Sequence, residues 1–298
     1  MKASFQSVLA KYHKDAQKKL SKHKVAYTWL ASKGLKVNEL REKSAGLLAA
    51  GALTGNLLLP GNFGTDIQKF ANNIVQNIYA SEISGESVRI AFAAALSPVL
   101  PSKPGHLDAD KEARLTEIFG KYLGIDAKAA LDGNHLPQTY GYTGEEQHLA
   151  RYPGDAIANH DELQFIGMAP GLGAWRYFAP SKTAMTDEIV LMEKYYVAIQ
   201  TFNLPEWNTK QPYLKDWYKF RKVLVVNPKN GKAAVAVIGD AGPANWTGKQ
   251  FGLSPELMHY MGLDIGMKKG EIIMFFVDEK DKKAPLGPIN YDNIKIAV

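Results

Sequence analysis

Two apolar runs, Lys222-Val-Leu-Val-Val226 and Ala233-Ala-Val-Ala-Val-Ile238, flank the segment Asn227-Pro-Lys-Asn-Gly-Lys232. β-branched side chains are stiff at χ1 and pack well on a pleated surface, so both runs favour extended backbone. Asn230-Gly231 tolerates the positive φ of a type I′ turn, which predicts an antiparallel hairpin. Further short β-rich runs stand at Trp175-Arg-Tyr-Phe178, Tyr195-Tyr-Val-Ala-Ile-Gln-Thr201 and Glu271-Ile-Ile-Met-Phe-Phe-Val277. One helix interrupts them, with Ser254 as cap, Pro255 in the first turn and Leu257, Met258 and Met261 on its face. Several strands with one short helix in about 110 residues predict a small barrel rather than a doubly wound sheet.

Upstream the texture is helical. Residues 5–43 carry a loose apolar stripe of Tyr12, Leu20, Val25, Trp29 and Leu30. Ile67, Phe70, Ile74 and Ile78 have helical period over 65–83, with Thr65 or Asp66 to cap the start. The apolar run 90–100, broken by Pro98, reads as a packed helix, and Pro101-Ser-Lys-Pro-Gly105 as a linker. A short helix over 108–123 presents Leu115, Ile118, Phe119 and Tyr122, and residues 132–162 read as irregular. The expected fold is therefore α+β, a helical N-terminal half followed by a small β-barrel. The expected organisation is a basic arm at 1–43, an apolar segment at 44–63, a helical and irregular region at 64–162, and the barrel domain with its tail at 163–298.

The chain has no cysteine, which excludes disulfides, zinc-thiolate sites, iron–sulfur clusters and cysteine nucleophiles. Its net charge of +6 is unevenly placed. Residues 1–43 hold eleven Lys and Arg against three acidic side chains, whereas the remainder holds 25 basic and 27 acidic ones. Such a pattern gives no whole-protein basic surface, so no nucleic-acid partner is expected. Residues 44–59 pass without a charge, next to Arg41 and Lys43 on one side and with no basic residue before Lys69 on the other. That asymmetry predicts a membrane anchor within 44–63, with the N-terminus cytoplasmic and the C-terminal domain outside. A buried Ala/Gly/Leu-rich helix is the alternative for the same residues.

Several segments resemble the double-psi β-barrel of the rare lipoprotein A and expansin families, which implies six strands in the barrel. Lys222-Val-Leu-Val-Val-Asn-Pro-Lys-Asn-Gly-Lys232 is similar to their strand–"N-x-x-N-G-K/R"–strand hairpin, and Ala236-Val-Ile-Gly-Asp-Ala-Gly-Pro243 to "V-x-D-R-G-P". Phe251-Gly-Leu-Ser-Pro-Glu-Leu-Met-His-Tyr-Met-Gly-Leu263 resembles "D-L-S-x-x-A-x-x-x-L-G". Thr183-Ala-Met-Thr-Asp-Glu188 with Tyr196-Val-Ala-Ile-Gln-Thr-Phe-Asn-Leu-Pro205 looks like "T-A-S-G-E … T-A-A-H-x-T-L-P". The resemblance implies peptidoglycan or another cell-wall glycan as partner, and a lytic transglycosylase reaction in which Asp240 first gives and then takes a proton. Three positions depart from the pattern: Gln200 (or Thr201) stands at the family's His, Ala241 at its Arg and Gly252 at the Asp of "D-L-S". A non-catalytic, expansin-like glycan binder is the alternative that the missing His favours.

Asp240 is thus the candidate acid and Gln200 the residue at the family's His position. Thr183, Asp187 and Glu188 are candidates for the substrate cleft, and Tyr177, Tyr196 and Trp246 for sugar stacking, together with Trp175 and Tyr195. Small neighbours at Gly239, Ala241 and Gly242 would let a sugar approach Asp240. His148, His160 and Asp161, with Glu145 and Glu146, lack the helical spacing of a metal site, so neither a metal nor a cofactor is expected. Gly167-Met-Ala-Pro-Gly-Leu-Gly173 lacks the Lys-Ser/Thr of a phosphate loop, and there is no Gly-x-Ser-x-Gly elbow.

Overall fold

The structure, a computed structural model, describes residues 85–279 and 284–294. The basic arm, the apolar segment 44–63 and the helices expected over 5–43 and 65–83 lie outside the described residues. Helix α1 (Gly85–Leu96) buries Val88, Phe92 and Leu96, one residue per turn on a single face. Helix α2 (Ala109–Leu123) starts where Asp108 accepts the Lys111 N–H at 2.9 Å, buries Leu115, Phe119 and Leu123, and ends at Gly124 with φ 65°. These are the packed helix and the short amphipathic helix that the sequence predicts. No helix among the described residues is long and apolar enough to cross a membrane.

The strands follow in order: β1 (Ala127–Lys128), β2 (Ala130–Leu131), β3 (Asn134–His135), β4 (Tyr140–Glu145), β5 (Tyr196–Ile199), β6 (Lys222–Val226), β7 (Ala233–Ala241), β8 (Phe251–Leu253), β9 (Lys269–Val277) and β10 (Gly287–Pro288). Three helices lie among them, α3 (Asp187–Lys194), α4 (Tyr213–Tyr218) and α5 (Pro255–Met261). Six strands close a ring in the order β9-β4-β8-β5-β7-β6 and back to β9. The β4/β8 and β5/β7 contacts are parallel and the other four antiparallel. Closure leaves these strands without an open edge. The barrel is accordingly closed, mixed and six-stranded.

The apolar runs are continuous rather than alternating because both barrel faces are covered. Val223, Val225, Ala236, Ile238, Ile272, Met274 and Phe276 join one core with Val197, Phe251 and Leu253 inside the ring. The residues of opposite parity, including Leu224, Val226, Val235, Ile273 and Phe275, pack against Phe92, Leu115 and Phe119 of α1 and α2. Phe119 meets Phe275 edge-on at 5.1 Å between centroids.

Four local expectations are corrected. The ring begins at Tyr140–Glu145, inside the region 132–162 read as irregular and ahead of residue 163. Its glycines hid it: a Cβ at Gly141 would stand 2.8 Å from Gln250 and Phe251, so the close strand contact demands the residue that weakens a strand pattern. Trp175-Arg-Tyr-Phe178 forms no strand: Trp175 and Arg176 complete a turn that starts at Gly173, with Arg176 at φ 65° and bridged to Gly173. In the β6–β7 loop Gly231 has positive φ (69°) and Asn230 does not, so the type I′ turn is replaced by a longer loop in which Gly231 N–H donates to the Asn227 carbonyl at 2.9 Å. Ser254 occupies the N-cap position of α5, but its hydroxyl donates to the Lys194 carbonyl at 2.6 Å instead of capping the helix.

Candidate functional site

Strand β7 runs along β5 in parallel until the register slips. Val197 faces Ile238, but the next residue, Ala198, faces Asp240, leaving Gly239 as an extra residue. A bulge of this kind breaks the alternation and re-aims the side chain beyond it. Glycine is required there because a Cβ would come within 2.8 Å of the Tyr196 Cβ.

The re-aimed Asp240 is held through one oxygen. Its Oδ1 accepts the N–H of Ala174 at 2.6 Å and that of Ala241 at 2.7 Å. The turn at Gly173 packs over it, with a hypothetical Cβ 3.5 Å from the Asp240 Cγ. Burial raises the Asp240 carboxyl above its ordinary value, and the two N–H donors pull the other way.

A second carboxylate reaches the same place from the end of β4. Glu146 N–H donates to the Leu253 carbonyl at 2.8 Å, continuing the β4/β8 ladder. Its side chain lies over Gly252, where a Cβ would stand 2.5 Å from the Glu146 Cγ and Cδ. Burial, with the Asp240 charge beside it and Lys249 opposing, pushes Glu146 up to about 7. Glu146 therefore fills the space that a side chain at 252 would take, at the position where the resembling motif has Asp.

Gln200 is buried, and its amide nitrogen donates to the carbonyls of Pro243 at 2.8 Å and Lys249 at 2.9 Å, while Oε1 accepts from Asn203 at 3.2 Å. The side chain braces the loops on either side of the Trp246 turn. It also lines a cavity of about 310 Å³ with Gln138, Asn203 and Gln250. A neighbouring cavity of about 430 Å³ shares His106, Pro137 and Asn203 with it and continues to Glu206 and Lys210. Asp240 lines neither of these two cavities.

The other sequence candidates are spread around this centre. Trp246 is 88% exposed, so its ring face is open. Tyr177 is half-buried. Tyr196 is 1% exposed and its hydroxyl donates to the Gln147 carbonyl at 2.5 Å, so it has no ring face to offer a sugar. Trp175 is likewise buried and donates to the Lys215 carbonyl at 2.7 Å. Thr183 is exposed and bonded to Ser181 at 2.9 Å. Asp187 and Glu188 are exposed in the first turn of α3, where negative charge complements the helix dipole.

Of the histidines and acids singled out from sequence, His148 and His160 do come together, with ring centroids 4.6 Å apart. The acid they share is Glu193 of α3 rather than Asp161, Glu145 or Glu146, and His160 also meets Asp155 at 3.2 Å. Asp161 pairs with Lys194, and Glu145 with Lys268. Glu193 sits in the last turn of a helix whose hydropathy carries no sign of a buried acid, so its role was not readable from spacing. No family model matches this chain, and no curated protein matches its sequence.

Proposed function

We propose that the barrel is of the double-psi kind and that the Asp240–Glu146 face binds cell-wall glycan, with Asp240 as the acid that cleaves it. The observation that carries this reading is the pair itself: one carboxylate re-aimed by a bulge and pinned by two N–H groups, the other laid over Gly252 beside it. Glycosidic cleavage needs a carboxyl that retains its proton to protonate the leaving oxygen, and burial of Asp240 favours the protonated form. Exposed Trp246, in the loop after Asp240, supplies a stacking face for a sugar ring. Wild type is expected to release anhydro-muropeptides from purified peptidoglycan sacculi. Asp240→Asn is expected to lower that release at least 100-fold while cosedimentation with the sacculi persists.

The non-catalytic, expansin-like reading draws on a different observation. Gln200, at the family's His position, has its amide committed to two backbone carbonyls and holds loops rather than a reacting atom. Wild type that cosediments with sacculi but releases nothing selects this reading. Wild type that neither binds nor cleaves them overturns both.

A further inference from the structure

We propose that His148, His160, Glu193 and Glu256 form a closed, structural site for one divalent transition-metal ion, with zinc as the ion best suited to the donor set. Four elements meet there. His148 follows β4 and bridges to Met168, His160 follows the turn at Ile157–Asn159, Glu193 lies in the last turn of α3 and Glu256 in the first turn of α5. All four side chains are within 5% of complete burial.

The hydrogen bonds define which ring nitrogens are available. His148 Nε2 faces the Leu163 carbonyl at 3.3 Å, and His160 Nε2 faces the Asp155 carboxylate at 3.2 Å. Both partners are pure acceptors, so each Nε2 carries the proton. Both rings then direct Nδ1 at Glu193, His148 at 3.3 Å from Oε1 and His160 at 3.2 Å from Oε2. Those separations match the edge, about 3.3 Å, of a tetrahedron with bonds of 2.0–2.1 Å. A histidine ligand whose far nitrogen donates to a carboxylate or backbone carbonyl is the arrangement metal sites use to fix tautomer and ring orientation.

Glu256 is the independent observation. It is 6% exposed, neither of its oxygens has a hydrogen-bond partner, and one lies 4.0 Å from His148 Nδ1. A buried carboxylate without a partner is costly. Without a cation, an ionised Glu193 would also require protons on both Nδ1 atoms, placing two imidazolium rings 4.6 Å apart in the interior. One divalent ion replaces both protons, balances Glu193 and Glu256, and gives Glu256 a partner. With four protein donors and little solvent access, the site is of the closed type that holds structure together.

The test uses the full chain, stripped with chelator and titrated with zinc chloride by calorimetry, with metal content by mass spectrometry. One zinc per chain is expected, together with a melting temperature that rises on zinc addition and returns on chelation; magnesium chloride does neither. Glu256→Gln keeps the shape and removes the charge, and is expected to weaken zinc binding tenfold or more. His160→Gln is expected to abolish it, whereas His259→Gln, at an exposed histidine, leaves it unchanged. Should His160→Gln fail to fold by circular dichroism, Glu256→Gln decides. Folded wild type that takes up no zinc, or zinc binding unaltered in Glu256→Gln, overturns the proposal, and either result is independent of the glycan assays.

Discussion

Asp240 shows how one inserted residue converts a strand position into a chemical group. Without the bulge at Gly239, position 240 would continue the packing alternation of β7. Both N–H donors go to Oδ1, so Asp240→Asn can keep the two bonds through its own Oδ1 while losing the charge. Folding raises this carboxyl from an ordinary value of 3.8. Between that value and the raised one, the folded chain holds a proton that the unfolded chain has released. Stability therefore falls as pH climbs through the window and stays lower above it. Asp240→Asn is expected to be more stable than wild type at pH 7 and to lose that advantage at pH 3. Thermal melts at both values check this; an equal difference at both would assign the change to packing. Gly239→Ala, by contrast, drives a methyl into Tyr196, with a cost of about 1–3 kcal/mol expected in denaturant titration.

Among the elements, the β6–β7 loop does more than reverse the chain. Asn227 and Asn230 both donate their amide N–H to the Met261 carbonyl at 3.0 Å, and Lys232 donates to the Tyr260 carbonyl at 2.8 Å. The loop thus satisfies carbonyls at the C-terminus of α5, which no local helix bond can reach. Asn227→Ala removes a buried donor and is expected to cost about 1–3 kcal/mol in chemical denaturation. The hairpin was legible in the sequence because apolar strands and turn formers are local signals. The role of its asparagines was not, because their partners lie 31 and 34 residues away. Strand β4 was missed for a related reason: Gly141 and Gly144 answer to neighbours across the sheet, Gln250 and Lys249, that no window of sequence contains. Asp240 stood out as a candidate through the resembling segment Ala236-Val-Ile-Gly-Asp-Ala-Gly-Pro243 and its small neighbours. Glu146, two residues before a histidine in a polar stretch, gained its importance from Gly252 more than a hundred positions on.

At the scale of the whole described region, the barrel and its two helices share one wall. Phe275 of β9 and Phe119 of α2 are both fully buried and meet edge-on, and Phe92 of α1 stands 6.2 Å from Phe119. The helices therefore close the outer face of the ring, while Phe276, pointing the other way on the same strand, packs inside it with Trp217 at 5.2 Å. Truncating each aromatic should separate the two cores. Phe119→Ala removes the helix side of the wall and is expected to cost about 3–5 kcal/mol. Its damage is expected to fall on α1 and α2, whose amides should exchange hydrogen faster while those of β5 and β8 keep their protection relative to global stability. Phe276→Ala, of similar expected cost, opens the interior itself, and its loss should appear as a uniform fall in protection around the ring. If hydrogen exchange reports the same uniform loss for both variants, the helices and the barrel unfold as one cooperative unit, and the wall they share is too strong to be breached from one side.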